Sequence, residues 1–116
     1  MAAVKNITDE SKLIQIAKTS ANNDVRCEAI QKISVGSEYE SELIKIAKSS
    51  SINWLVRFYA VYKLTDIDAL KYIAEHDNYE QIKTEYGTQD DQYKVSKGYP
   101  VRRAAYDRLS TLLNEK

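Results

Sequence analysis

The sequence predicts an all-α protein, an alpha-alpha superhelix built as a short stack of antiparallel helix pairs. Three observations predict it. Val25-Arg26-Cys27-Glu28-Ala29-Ile30, Val56-Arg57-Phe58-Tyr59-Ala60-Val61 and Val101-Arg102-Arg103-Ala104-Ala105-Tyr106 are variants of one word, and self-similarity at about thirty residues marks stacked helical repeats. Three Gly and one Pro in 116 residues leave few helix breakers. Apolar residues also recur at helical spacing, as Leu13, Ile14, Ile16, Ala17, then Leu43, Ile44, Ile46, Ala47, then Leu70, Ile73, Ala74.

The elements follow in order. A partial unit is expected at 1–8, because Ala3-Val4-Lys5-Asn6-Ile7 matches the end of a second helix, and Val4 and Ile7 would give it an apolar face. Full units follow at about 9–36, 37–64 and 65–116, all within one domain. Each opens with a helix carrying the Leu-Ile pattern, passes through a polar turn, and continues into a second helix carrying the Val-Arg-x-x-Ala word. Ser37-Glu38-Tyr39-Glu40 reads as a capping box, Thr65-Asp66-Ile67-Asp68 as a weaker one, and Thr8-Asp9-Glu10 as a third start. Acidic groups there also complement the helix dipole.

Laying the second helices over one another assigns the core. Val25, Val56 and Val101 share a column, as do Ala29, Ala60 and Ala105, then Ile30, Val61 and Tyr106, then Ile33, Leu64 and Leu109. Small alanines at fixed places let helices approach closely. The third unit breaks phase, since its arginine follows the previous one by 45 residues instead of 31. The excess forms an insertion at 77–98. Within it Tyr79, Ile82 and Tyr86 fall at helical spacing, Gly87 would close a short helix, and 88–98 reads as loop. Pro100 is placed as the first residue of the last helix.

The three Val-Arg-x-x-Ala words, with the Leu-Ile-x-Ile-Ala helices, resemble the HEAT-like repeat family of alpha-solenoids over nearly the whole chain apart from 79–98. The resemblance implies a concave surface lined by second helices. It also implies that Arg26, Arg57 and Arg102 hold turns or neighbouring units together. The family includes scaffolds, adaptors, regulators, DNA-repair proteins and bilin lyases, so fold alone does not choose a function.

Composition narrows the function classes. Seventeen basic residues balance seventeen acidic ones, so no global field attracts a polyanion. No apolar run is long enough to cross a bilayer, and the first residues lack a signal-peptide core. With the single Cys27, this leads to the expectation of a cytoplasmic protein without membrane contact. No glycine-rich phosphate loop, Gly-x-Ser-x-Gly or HExxH occurs. The lone His76 sits between Glu75 and Asp77 and is expected to face solvent. Cys27 is expected to pack, although Arg26 beside it would favour a thiolate. Asp90-Asp91 is a carboxylate pair in the expected loop. No enzyme, metal site or cofactor is therefore expected.

The surface columns carry the functional expectation. Glu28, Tyr59 and Ala104 align, followed by Gln31, Tyr62 and Asp107, then by Lys32, Lys63 and Arg108. Trp54, Phe58, Tyr59 and Tyr62 place four rings on one turn and helix. Beside Lys63 and Arg57 they suit a protein or peptide partner, because aromatic and arginine anchors contribute about 2 kcal/mol or more each at interfaces. The same residues have a structural reading, in which Trp54 and Phe58 seal the inter-unit core and the tyrosines shield it. The candidate groove is thus Tyr59, Tyr62, Lys63, Lys32, Phe58, Trp54, Asp107 and Arg108, with the 77–98 insertion as a second candidate. The alternative is a nucleic-acid binder whose basic column of Lys32, Lys63 and Arg108, with Arg103, tracks phosphates. A third reading is a regulatory or lyase subunit that needs another chain.

Overall fold

Leu13, Ile14 and Ala17, then Leu43, Ile46 and Ala47, then Leu70, Ile73 and Ala74 are each buried on one side of a helix, so the apolar period does set the first helix of each pair. In the computed structural model, residues 9–86 and 93–114 are described, with side chains for 9–80 and 98–114. Among these described residues six α-helices and one β-hairpin follow in the order α1 (Glu10–Thr19), α2 (Asn23–Gln31), α3 (Glu40–Lys48), α4 (Trp54–Val61), α5 (Ile67–His76), β1 (Gln81–Tyr86), β2 (Tyr93–Gly98) and α6 (Pro100–Asn114).

Helices α1 and α2, α3 and α4, and α5 and α6 pack as pairs. Helix α4 also packs against both α2 and α6, while α3 touches α1 and α5. Two rows of helices result, with the core between them. Ala29, Ala60 and Ala105 are fully buried, as are Ile30, Val56, Val61, Leu64 and Val101. The zero exposure of the alanine column explains why it holds no larger side chain, since one added there would force the rows apart.

Local chemistry sets the helix starts. The side chain of Asp9 accepts from Ser11 N, Asn22 from Val25 N, Asn53 from Leu55 N and Asp66 from Ala69 N, which satisfies amides left free by the first turn. The capping box expected at Ser37 is not formed. Helix α3 begins at Glu40 after Tyr39, which makes no side-chain cap. Glu40 reaches into the next unit instead, where its carboxylate accepts from Thr65 Oγ1 at 2.7 Å and from the Thr65 and Asp66 amides at 2.8 Å. Glu10, thirty residues earlier, does the same, accepting from the Ser34 amide and hydroxyl and from Ser37 Oγ. One repeated glutamate thus clasps the turn that joins its unit to the next. Gly36, in the first of these turns, has φ +72°, a conformation that side chains disfavour, and donates its N–H to Lys63 O.

Further expectations are corrected. The insertion is an antiparallel hairpin, not a short helix followed by loop, with Ile82 opposite Lys97, Thr84 opposite Val95 and Tyr86 opposite Tyr93. Tyr106, aligned with core residues Ile30 and Val61, is 57% exposed, whereas Ala104, aligned with the surface, is fully buried. Helix α6 rests on α4 and α5, and no helix among the described residues covers its other side, so its buried face turns toward Val101, Ala104, Ala105 and Leu109. Val25 is only partly buried, at the start of the first described second helix. The partial unit at 1–8 with Val4 and Ile7, together with Gly87, Asp90 and Asp91, lies outside the described residues.

Candidate functional site

Residues four apart stand above one another on a helix, so Trp54, Phe58 and Tyr62 form one stripe along α4. Their rings meet edge to face, Trp54 and Phe58 at 6.1 Å between centroids, Phe58 and Tyr62 at 5.2 Å. Tyr59 adds a third such contact with Phe58 at 5.6 Å. The ladder continues beyond the helix, because Tyr79 stacks face to face on Trp54 at 4.8 Å with 7° between the planes. Edge-to-face and stacked rings each add about 0.5–1.5 kcal/mol beyond their burial. Trp54, Phe58 and Tyr59 are half-buried and Tyr62 is 37% exposed. The ladder is therefore both seal and surface.

The charged members of the candidate groove are engaged with the scaffold. Lys63 Nζ donates to Gln31 O at 3.0 Å and Arg108 Nε to Leu64 O at 2.8 Å. Each ties its unit to the end of the preceding second helix, where carbonyls lack helical partners. Burial pushes the Lys63 ammonium below its ordinary pKa, with Glu10 opposing. Burial first, and then the Asp107 carboxylate, push the Tyr62 phenol above its ordinary value, while Arg103 opposes. Lys32 lies at the C-cap of α2, and its side chain is exposed.

The three aligned arginines do different work. Arg26 Nε donates to Ala17 O at 2.8 Å within its own pair. Arg102 Nε donates to Asp77 O at 2.5 Å. Arg57 donates through NH1 to Ile52 O in its own unit, and through Nε and NH2 to the Asp77 carboxylate of the next, at 2.9 and 3.2 Å. The side chains of that ion pair are 7% and 8% exposed. The Asp77 carboxylate also accepts from Tyr79 N at 3.0 Å, which fixes the turn that lays Tyr79 on Trp54. Sequence reasoning named Asp77 as a neighbour of His76 and as the edge of an insertion. It missed that this acid is the counter-ion of Arg57, because the two lie twenty residues apart on different units.

Two of the groups weighed for chemistry, His76 and Cys27, lie among the described residues. His76 is exposed, stacks on Tyr72 at 4.2 Å, and places Nδ1 2.9 Å from Tyr72 O. The Cys27 thiol is buried. Desolvation pushes its pKa up, Asp24 adds to this, and Arg26 opposes, so the thiolate suggested by the neighbouring arginine is not favoured. Among the described residues no cluster of three metal-ligating side chains occurs, and no helix is long and apolar enough to cross a membrane.

No protein-family model, curated protein or solved structure matches the chain.

Proposed function

We propose that the chain is a short HEAT-like solenoid serving as a non-catalytic interaction module, which binds a protein or peptide along the second-helix row with the α4 ladder as its anchor. The observation that carries this reading is the continuous ring series Tyr79–Trp54–Phe58–Tyr62, part-exposed along α4, its C-cap and the turn after α5. Aromatic rings held by packing lose little entropy on binding. The solenoid reading is supported by three helix pairs and by a glutamate clasp repeated after thirty residues, at Glu10 and Glu40. Units of 9–36, 37–64 and 65–116 place each clasp at a unit boundary. A single, buried cysteine, Cys27, fits work in the reducing cytoplasm.

The nucleic-acid reading loses support because Lys63 and Arg108, two of the three column cations, donate to backbone carbonyls. A phosphate would have to replace those bonds. Absence of binding to duplex and single-stranded DNA at about 50 mM salt removes that reading. The interaction reading is tested by affinity capture with the unmodified chain and with a Tyr59→Ala/Tyr62→Ala variant of unchanged helical circular dichroism. The variant is expected to lose partners that the unmodified chain retains. Equal recovery from both overturns the reading.

A further inference from the structure

The turns at one edge of the two rows enclose a cleft of about 610 Å³ between the second and third helix pairs, a size typical of small-ligand and short-peptide sites. One wall comes from the turn that leads into α4, the other from the end of α5 and the turn after it. The Arg57–Asp77 pair lies within this lining with its charges mutually satisfied. What remains is Lys48, the last residue of α3. Its Nζ stands 4.4 Å from the centre of the Tyr72 ring, and the other partner of that ring is His76. A cation held over an aromatic face is positioned without being neutralised. Lys48 makes no ion pair among the described residues.

The same cleft is lined by the Trp54–Tyr79 stack, which offers a flat apolar platform. Asn53 uses its side-chain oxygen to cap Leu55 N, so its NH₂ group is left as a donor. An unneutralised ammonium, a flat platform and an amide donor together match a carboxylate beside a planar side chain on a peptide backbone. A nucleic-acid strand fits less well, because one ammonium would face successive phosphates.

We propose that this cleft binds an acidic peptide segment, seating a carboxylate at Lys48 and a planar side chain on the Trp54–Tyr79 pair. The inference rests on the interaction-module reading and names the ligand class of its surface, since Trp54 begins the α4 ladder and also lines the cleft. The carboxylate belongs to an acidic side chain or to a peptide C-terminus.

Trp54 is the only tryptophan, so its emission reports occupancy directly. The full chain is titrated with N-acetylated, C-amidated Glu-Phe-Glu-Phe, with the same peptide carrying Gln for Glu, and with the Gln peptide as a free acid. Saturable change with the Glu peptide is expected, with the amidated Gln peptide about tenfold weaker. Recovery of affinity by the free acid assigns the carboxylate to a C-terminus, and no recovery assigns it to a side chain. Lys48→Ala, at an exposed position, is expected to weaken the Glu peptide about five- to tenfold while leaving the amidated Gln peptide unchanged. Lys48→Glu is expected to reverse the preference.

Equal affinity for the amidated Glu and Gln peptides with no gain from the free acid, insensitivity of the carboxylate-bearing peptides to Lys48→Ala, no emission change with any peptide, or tighter saturation by an oligothymidylate each overturns the proposal. The Tyr59→Ala/Tyr62→Ala chain is expected to keep the Glu-peptide titration, because those rings do not line the cleft. Failure of the capture experiment therefore removes the module reading alone, and failure of the Lys48 experiment removes the cleft assignment alone.

Discussion

Replacing Asp77 by Ala strands a guanidinium. Arg57 is 6% exposed, and its Nε and NH2 groups both donate to the Asp77 carboxylate, leaving only the NH1 bond to Ile52 O after the substitution. Removing one partner of a buried ion pair costs about 3–5 kcal/mol. With an unfolding entropy of about 2.1 cal/mol/K per residue, 116 residues give about 0.24 kcal/mol/K, so the melting temperature should fall by about 12–20 °C. Thermal unfolding followed by helical circular dichroism measures it. Combining Asp77→Ala with Arg57→Met removes the stranded charge and is expected to recover at least half of the loss, a coupling that a double-mutant cycle quantifies. A fall of less than about 4 °C for Asp77→Ala, or a double variant as unstable as the sum of the singles, refutes the reasoning.

Two further outcomes follow from the same geometry. The Glu10 carboxyl is held below its ordinary pKa, first by the Ser37 hydroxyl and then by the hydroxyl and amide of Ser34. A depressed folded pKa contributes stability above the unfolded value and loses it as pH falls through the folded one. Glu10→Gln should therefore melt about 2–4 °C lower than the unmodified chain at pH 7, and the gap should narrow as pH drops below about 4.3; a pH-independent gap contradicts the clasp. Cys27 is buried with its thiol pKa raised, so a thiol reagent at pH 8 should modify it about tenfold or more slowly in the native chain than in denaturant. Equal rates would show the site open.

Sequence alone revealed whatever depends on a local period. Leu43, Ile46 and Ala47 repeat Leu13, Ile16 and Ala17, and their amphipathic spacing needs no distant partner to be recognised. The alanines at 29, 60 and 105 were legible for the same reason. Glu40 was misread because a Ser-x-x-Glu pattern suggests a partner three residues back, whereas its hydrogen bonds go to Thr65 and Asp66 across a unit boundary. Tyr106 misled in another way. Its column is buried only where a following helix covers it. The hairpin left a signal in the alternation Ile82, Thr84, Tyr86 and Tyr93, Val95, Lys97, a period of two rich in β-branched and aromatic residues. The spacing of Tyr79, Ile82 and Tyr86 also fits a helix, and that coincidence hid it.

Of the candidate site, the ladder on α4 was visible as spacing, and its residues are together. Its extension through Tyr79 was not visible, because that ring is brought to Trp54 by the turn that Asp77 fixes. The basic column was visible as charge, but charge does not show what each group is bonded to. Lys63 and Arg108 proved to be fasteners between units. The cleft at Lys48 had no sequence signature, since its lining is assembled from two helix pairs.

The central claim is that α4 lies between α2 and α6 in one row, so that neighbouring pairs and not distant ones share the core. Methyl-to-methyl Overhauser contacts in a chain labelled at Ile, Leu and Val test it most directly. The account predicts contacts linking α2 to α4 and α4 to α6, with Val56 and Val61 in the middle of the network. A strong set joining α2 directly to α6, with α4 left outside it, would contradict the stack.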